Sequence, residues 1–267
     1  MKSADGIGLA DVQAVYGGPE GDLWELIMGE QIHIGGFSSS MDLARQAGIK
    51  PGSRGVDLCC CSGAGMRFLV RFMSVAGMTG VDATQRVIDR GLARCKAEGL
   101  EGKITFVAAD VCKNPLPDAC ADFVWGEDAW CYVQDKESLI AKAARLTKKG
   151  GLIAFTDWVQ GPADLDDHEA QRLLRFMKFP NIQTIPGYAR LLAGNGCKVP
   201  IAADTGRFAP YCDLYIDMLG KQLTYDALRI IGWDMKMLEF LAGEMDFMRN
   251  LAKAGKIAQG LFVATKM

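Results

Sequence analysis

The chain of 267 residues is long enough for one large domain, or for one core that carries an inserted lid. Hydrophobic residues make up 49% of it, and the net charge of −2 argues against an electrostatic grip on nucleic acid. No apolar run reaches the ~18 residues that a bilayer span requires, and residues 1–5 lack an apolar signal core. We therefore expect a cytoplasmic protein that has neither a nucleic-acid partner nor a membrane partner.

Residues 1–48 are predicted to form an N-terminal lid segment. A Gly-Gly-Pro turn at 17–19 precedes a short predicted helix at 21–29. Ser38, Ser39 and Ser40 follow the glycine pair at 35–36, and a serine hydroxyl at the N-cap would start a helix that runs to Ala47.

Residues 49–158 show a regular alternation of strand and helix patterns and are predicted to form the core that binds the cofactor. The predicted helices cover 64–75, 84–98 and 136–146, and the predicted strands cover 55–60, 78–81, 104–108, 122–125 and 152–156. Strands that alternate with helices pair in parallel through right-handed crossovers. The alternation therefore predicts an α/β doubly wound sheet.

The alternation breaks after Asp157. A helical pattern at 161–181 lies outside it, so residues 159–183 are predicted to be an inserted helical lid. Residues 184–267 are assigned to the C-terminal part of the core with a helical insertion. Their predicted elements are a helix at 188–193, a strand at 198–203, helices at 211–221 and 234–253, and a last strand at 257–265.

Carboxylates follow four of the five predicted core strands, where an open parallel sheet binds its ligand. Asp82 lies about 20 residues after the small-residue turn at Gly63, and an acid at that spacing is placed to accept hydrogen bonds from both ribose hydroxyls. Asp110 would accept from an adenine amino group, and Val111 would supply a backbone amide and an apolar wall. A dinucleotide site would need a third glycine where Phe68 stands, so that alternative is weak.

The order and spacing of these motifs resemble the class I S-adenosyl-L-methionine (SAM)-dependent methyltransferases. Within them the chain is similar to the small-molecule branch that includes sarcosine/dimethylglycine, phosphoethanolamine and tocopherol methyltransferases. The matching segments are VDLCCCSG at 56–63, GVD at 80–82, ADV at 109–111, DFVWGEDA at 122–129 and the stretch 146–157. Residues 29–35 resemble the segment that folds over SAM in this branch, and 255–266 resemble its closing strand.

The resemblance implies a Rossmann-like seven-stranded sheet with the last strand antiparallel, SAM as cofactor, S-adenosyl-L-homocysteine as product, and no metal. The residues that would bind the cofactor are Tyr16, His33, Cys59, Gly63, Asp82, Ala83, Asp110, Val111 and Glu127. Because an amine acceptor must lose a proton, a weak base or a polar orienting group is useful near the methyl group. The candidates for catalysis are Asp128, Tyr132 and Tyr16.

Aromatic side chains and one histidine are the candidate substrate contacts. His33 lies in the segment that resembles the SAM-covering part of the family. Trp130 and Trp158 follow the fourth and fifth core strands, and their faces would suit an ammonium group. Core packing is the alternative for both tryptophans.

The cysteine triplet Cys59-Cys60-Cys61 departs from the family pattern, which usually has glycine at the first and third positions. A Cβ makes a positive φ costly there, so the turn must be accommodated differently. Small buried residues packing a strand end explain the triplet. A metal or arsenic site is the alternative, but no His/Cys cluster in the sequence supports it.

The function favoured by these patterns is N-methylation of a small amine or amino acid, of the sarcosine/dimethylglycine type. O-, C- or S-methylation of a secondary metabolite is the second hypothesis, and a SAM-binding protein without catalysis is the third. The partner is thus a small-molecule methyl acceptor. The sequence leaves the acceptor, the number of methyl groups transferred and the oligomeric state open.

Overall fold

The computed structural model describes all 267 residues as an α/β fold. Its strands are β1 (Lys2–Ser3), β2 (Arg54–Leu58), β3 (Gly77–Asp82), β4 (Ile104–Ala108), β5 (Ala121–Glu127), β6 (Thr147–Gln160), β7 (Asn181–Thr184), β8 (Cys197–Asp204) and β9 (Ile257–Lys266). Its helices are α1 (Leu9–Tyr16), α2 (Pro19–Met28), α3 (Gly36–Ala47), α4 (Ala64–Phe72), α5 (Gln85–Ala97), α6 (Lys136–Leu146), α7 (Asp167–Met177), α8 (Ile185–Gly194), α9 (Phe208–Lys221), α10 (Thr224–Ile230) and α11 (Met235–Lys253), with a 3-10 turn at Trp130–Tyr132.

The main sheet has seven strands in the order β4-β3-β2-β5-β6-β9-β8. All pairs from β4 to β6 are parallel, and β9 runs antiparallel to both of its neighbours. This arrangement confirms the predicted Rossmann-like sheet with an antiparallel last strand. It brings the carboxyl ends of β2, β3, β4 and β5 to one edge, where the predicted site residues follow.

Two short strands extend the sheet beyond the prediction. The end of β6 pairs in parallel with β7, and β7 pairs antiparallel with β1. The prediction of one helical stretch over 161–181 is therefore wrong at its end. Helix α7 stops before Lys178, whose φ of +56° turns the chain into the segment that leads to β7.

The start of the third helix also differs from its prediction. Helix α3 begins at Gly36, with Gly35 at the N-cap in a left-handed conformation and no side-chain cap. The three serines lie inside the helix, and the Ser40 hydroxyl donates to Glu127 instead (2.5 Å). A serine that satisfies a buried carboxylate is therefore not available as a cap.

One hydrophobic cluster joins the N-terminal helices to the inserted ones. It contains Trp24 of α2, Leu173 of α7, Phe208 of α9 and Met248 of α11. We call α1, α2, α7, α9, α10 and α11 together the cap. None of the helices combines the length and the apolar character needed to cross a membrane.

Three arginines on one face of α5 hold the cap against the core. Arg86 and Arg90 both pair with Asp22 of α2, at 3.0 and 2.5 Å, and Arg90 also reaches Glu25 at 2.8 Å. Arg94 pairs with the other oxygen of Glu25. The i, i+4 spacing along α5 aligns the three guanidinium groups, and we refer to them as the arginine ladder.

The turn after β2 has an unusual backbone. Cys59 and Cys61 have φ values of +63° and +48°, and Gly63 has +74°. Left-handed backbone costs a side-chain-bearing residue roughly 1–2 kcal/mol. The structure thus confirms that cysteines stand where the backbone favours glycine, and the N–H of Cys61 donates to Asp82 (2.9 Å), which helps to fix the turn.

We predict that Cys61→Gly raises the free energy of unfolding by about 0.5–1 kcal/mol, because glycine relieves the left-handed strain. The matched control is Cys60→Gly, which removes a buried side chain that packs in the core. It should lower the free energy by about 1 kcal/mol. Urea denaturation of the two variants tests this, and equal destabilisation would show that the turn stores no strain.

Candidate functional site

A cavity of about 470 Å³ lies at the carboxyl ends of β2, β3 and β5, beside the loop after β4 and against α1. Most of the predicted site residues line it together. They are Tyr16, His33, Cys59, Asp82, Ala83, Asp110, Val111, Glu127, Asp128 and Tyr132. Gly63, Trp130 and Trp158 do not line it.

Asp82 ends β3 and faces the cavity with both oxygens partly engaged. Its Oδ2 accepts from the Cys61 N–H and its Oδ1 from the Thr84 N–H, both at 2.9 Å. Burial raises the pKa of Asp82, and these backbone donors oppose part of the rise. Each carboxylate oxygen can accept more than one hydrogen bond, so two hydroxyls of a ligand can still be bound.

The loop after β4 forms the neighbouring wall. Asp110 accepts the Cys112 N–H with Oδ1 (2.9 Å), and Val111 beside it is buried. Helix α1 lies over this part of the cavity, where Gln13 donates to the Ala83 carbonyl (2.7 Å). Helix α1 and the contact of Gln13 were not predicted from the sequence, because the helix has only eight residues and its apolar pattern is weak.

Glu127 at the end of β5 connects three elements. Its Oε1 accepts from Ser40 (2.5 Å) and lies 3.3 Å from the His33 Nε2. A Cβ placed on Gly65 would clash with Glu127, so the glycine leaves a small space there, which we call the Gly65 cradle. The Trp125 indole N–H lies beside this space and has no hydrogen-bond partner. These unused polar groups fit the polar end of a ligand that enters the turn.

Asp57 stands behind this cradle and is also buried. Burial raises its pKa well above the usual range, and the charges of Glu127 and Asp82 add to the effect. Repulsion among neighbouring carboxylates in a poorly hydrated place favours a ligand that carries positive charge.

Asp128 has a left-handed backbone, with φ of +49°, and its side chain is 5% exposed. Its Oδ2 accepts from the Ile34 N–H and from the Gln259 amide, both at 2.8 Å, whereas Oδ1 has no hydrogen-bond partner. Burial raises the pKa of Asp128, and the nearby His33 opposes this rise. The chain therefore forms hydrogen bonds to only one of the two carboxylate oxygens of Asp128.

Tyr16 and Tyr132 meet across the cavity from α1 and the 3-10 turn. Their hydroxyl oxygens are 2.8 Å apart, and their rings pack edge to face at 5.4 Å. Burial raises the pKa of both hydroxyls well above the usual range. Both tyrosines therefore stay neutral at pH 7, so the pair can donate and accept hydrogen bonds but does not supply a phenolate.

Both tryptophans belong to the core. Trp130 is fully buried, donates to the Leu58 carbonyl (3.1 Å) and stacks on Phe155 at 4.0 Å. Trp158 packs edge to face on Phe208 at 4.5 Å. The prediction that they wall the acceptor pocket is wrong, because an indole at the end of a buried strand gains more from core contacts than from a polar cavity.

Gly63 and the cysteine triplet shape the turn after β2. Gly63 is the left-handed N-cap of α4 and does not line the cavity, so its cofactor contact stays a prediction. Burial raises the pKa of the Cys59 and Cys60 thiols well above the usual range. No three His, Cys, Asp or Glu side chains in the chain are grouped to hold a metal ion.

A buried acid supports the 3-10 turn that carries Tyr132. Asp157 of β6 accepts from the Cys131 N–H (2.9 Å) and from the Tyr188 hydroxyl (2.6 Å). Lys136 donates to the Cys131 carbonyl at 3.2 Å. Burial raises the pKa of Asp157 to about 7 despite the nearby lysine.

We predict a pH-dependent stability that Asp157 causes. Its pKa in the folded chain lies above the ~3.9 of the unfolded chain, so the folded state binds the extra proton between these values. Raising the pH from 5 to 8 should then destabilise the wild type relative to Asp157→Asn by about 3 kcal/mol. Urea denaturation at both pH values measures this. The surface control is Asp122→Asn, whose free energy of unfolding relative to the wild type should not change between pH 5 and pH 8. Parallel curves for the wild type and Asp157→Asn would contradict the role given to this acid.

Comparison with known proteins shows which family and which structures the chain is similar to. The family described as "Methyltransferase domain" matches residues 56–155. A phosphoethanolamine N-methyltransferase of Arabidopsis thaliana is 24% identical over 242 residues, which cover 86% of this chain and 48% of that protein. A sterol 24-C-methyltransferase of Gibberella zeae is 32% identical over 132 residues, covering 49% and 34% respectively. The chain spans half or less of the length of these two curated relatives.

Solved structures share the fold over nearly the whole chain. A sarcosine dimethylglycine methyltransferase candidate from Galdieria sulphuraria superposes with a TM-score of 0.82, at 20% identity, over 93% of this chain and 98% of the other. A phosphoethanolamine N-methyltransferase of Haemonchus contortus, solved with S-adenosylhomocysteine, gives 0.84 at 17% identity over 95% and 58%. Residues 56–155 of this chain therefore match a methyltransferase domain, and the fold of nearly the whole chain is that of solved methyltransferases.

Proposed function

We propose that the chain binds SAM in the cavity and transfers its methyl group to the nitrogen of a small amine or amino acid. The observation that carries this proposal is that two acids in different environments, Asp82 and Asp128, line the same cavity. Asp82 would bind the sugar, and Asp128 lines the same cavity with a buried Oδ1 that has no hydrogen-bond partner.

The cavity residues fit the parts of the cofactor. Asp82 would accept from the two ribose hydroxyls, and Asp110 from the adenine amino group, with Val111 against the ring. The Gly65 cradle with Glu127 and Asp57 fits the ammonium group of the methionine part. The donor set therefore matches a nucleoside that carries positive charge, as SAM does.

SAM supplies a methyl group on a positively charged sulfur, which makes direct displacement by a nucleophile possible. The chain's own contribution is to hold the acceptor in line and to keep water out, and such positioning is worth ~7–11 kcal/mol. The neutral Tyr16–Tyr132 pair would orient the amine, and Asp128 would accept the proton that the amine gives up. The raised pKa of Asp128 suits this exchange, since the acid then holds a proton more readily.

Closure of the cavity rests on the segment 1–48 and on the cap. Leu9, Val12 and Tyr16 of α1 line the cavity, and Gln13 ties this helix to the Ala83 carbonyl at the end of β3. We propose that this segment opens to admit the ligands and closes for methyl transfer, while the stretch 159–183 supports it through the shared hydrophobic cluster.

C-methylation is the alternative that the comparisons keep open, because a sterol 24-C-methyltransferase is among the relatives. A panel of amines, phenols, thiols and sterols assayed with methyl-labelled SAM separates the reaction types. Labelling of amines supports the proposal. Labelling of other acceptors alone would replace it, and SAM binding without any labelling would favour a binding protein.

We predict that Asp82→Ala weakens SAM binding by about 1–3 kcal/mol, because one or two hydrogen bonds to the ribose are lost. Isothermal calorimetry measures the affinity. The matched control is Asp122→Ala, which removes a carboxylate that also accepts a backbone N–H but lies at the opposite end of the sheet. Unchanged SAM affinity in Asp82→Ala would remove this residue from the site.

We predict that Asp128→Asn lowers kcat by about 10²-fold or more while SAM affinity changes by less than about threefold, because the amide does not take up the amine proton. Asp166→Asn, at the N-cap of α7 and outside the cavity, is the control. Steady-state kinetics and calorimetry together give both values. Equal losses in turnover and in SAM affinity would reassign Asp128 to cofactor binding.

A further inference from the structure

Most of the charged side chains that line the cavity are acidic. Seven carboxylate residues line it, against a single lysine and no arginine. The lysine, Lys113, is 84% exposed and lies near Asp110, on the side assigned to adenine. At the opposite side, around Asp128, no lysine or arginine side chain lines the cavity.

The cations closest in the fold are already engaged. Arg67 pairs with Glu30 and Glu98, and Arg94 pairs with Glu25. Lys136 is 4% exposed and donates to backbone carbonyls of the turn that carries Tyr132. None of these groups is free to neutralise an anion that enters the cavity.

The wall beside Tyr16 and Tyr132 is apolar. Leu9, Val12 and Ile32 line the cavity, Val12 lies one helical turn before Tyr16 on α1, and Ile32 packs in the same cluster as the tyrosine pair. Such a wall offers contacts to a hydrocarbon part of the acceptor, and it has no positive charge to pair with a carboxylate or a phosphate.

An amine accepts a methyl group only in its uncharged form. An acceptor that also carries a carboxylate or phosphate is then a net anion, and it would lie among carboxylates without a counter-charge. An amine without an acidic group is neutral in the same state and becomes positive as the new N–C bond forms. The surrounding carboxylates stabilise that developing charge. The cofactor does not break this pattern, because SAM itself has a net positive charge.

We propose that the methyl acceptor is an amine without an acidic group, with a hydrocarbon part that packs on the apolar wall. This inference rests on the proposed N-methylation and narrows it, since amino acids and phosphorylated amines are then poor acceptors. In the transfer, the amine lone pair forms the N–C bond, the C–S bond breaks, and its electrons stay on sulfur as S-adenosylhomocysteine. A primary or secondary amine then loses an N–H proton to Asp128 or to water, whereas a tertiary amine becomes a quaternary ammonium and loses none.

Matched pairs of acceptors test the proposal on the wild-type chain. The pairs are 2-phenylethylamine with phenylalanine, and 2-(dimethylamino)ethanol with its phosphate ester. The member without the acidic group should have a kcat/KM about 100-fold higher or more. It should also bind more tightly to the chain loaded with S-adenosylhomocysteine, by calorimetry.

A charge introduced into the apolar wall provides the second test. Val12→Lys should raise kcat/KM for the acidic member of each pair roughly tenfold and lower it for the other member. Val12→Met is the uncharged control of similar length and should keep the wild-type preference.

The outcomes separate the two levels of the proposal. Equal use of both members, or preference for the acidic one, would overturn the acceptor class while N-methylation stands. Methylation of phenols, thiols or carbon acceptors with no amine labelled would overturn the proposed function, and the acceptor class with it.

Discussion

The chain must bury several carboxylates at one edge of its sheet with almost no cations to balance them. Asp57, Asp82, Glu127 and Asp128 come from three successive central strands, whose carboxyl ends meet at that edge. Burial raises the pKa of Asp57, Asp82 and Asp128. The chain supplies backbone N–H groups, a serine and a histidine as partial compensation. The remaining imbalance defines what the cavity can hold, which is a ligand with positive charge.

The core and the cap each contribute residues to the cavity at this edge. The sheet positions the acids through its register, and the turn after β2 bends closely enough to bring the Cys61 N–H onto Asp82. The cap contributes α1, whose Gln13 and Tyr16 reach the cavity from above. Asp157 and Lys136 stabilise the 3-10 turn from beneath, so the position of Tyr132 depends on a buried pair that does not line the cavity.

Much of the core was predictable because strand and helix periodicities there are strong and local. Predicted strands agreed with β2 to β6 within a few residues, except for the longer β6, and Asp82 was placed from its spacing to the glycine turn. The errors arose where tertiary contacts determine the position of a side chain. Ser40 serves Glu127 rather than a helix end, and Trp130 turns into the core, because partners distant in sequence outweigh local preference. Gln13 and the arginine ladder had no local pattern that would mark their partners.

Helix α2 has two sides of different character. Towards the cap it packs Trp24 on Phe176, within the large hydrophobic cluster. Towards the core it is held by the arginine ladder, whose members are 22–45% exposed. Such partly hydrated ion pairs contribute about 0–1 kcal/mol each, and dissolved ions compete with them, whereas apolar contacts are insensitive to screening. The contact between α2 and α5 is therefore held by ion pairs that water and dissolved ions can replace one at a time, while the apolar contacts of α2 within the cap persist.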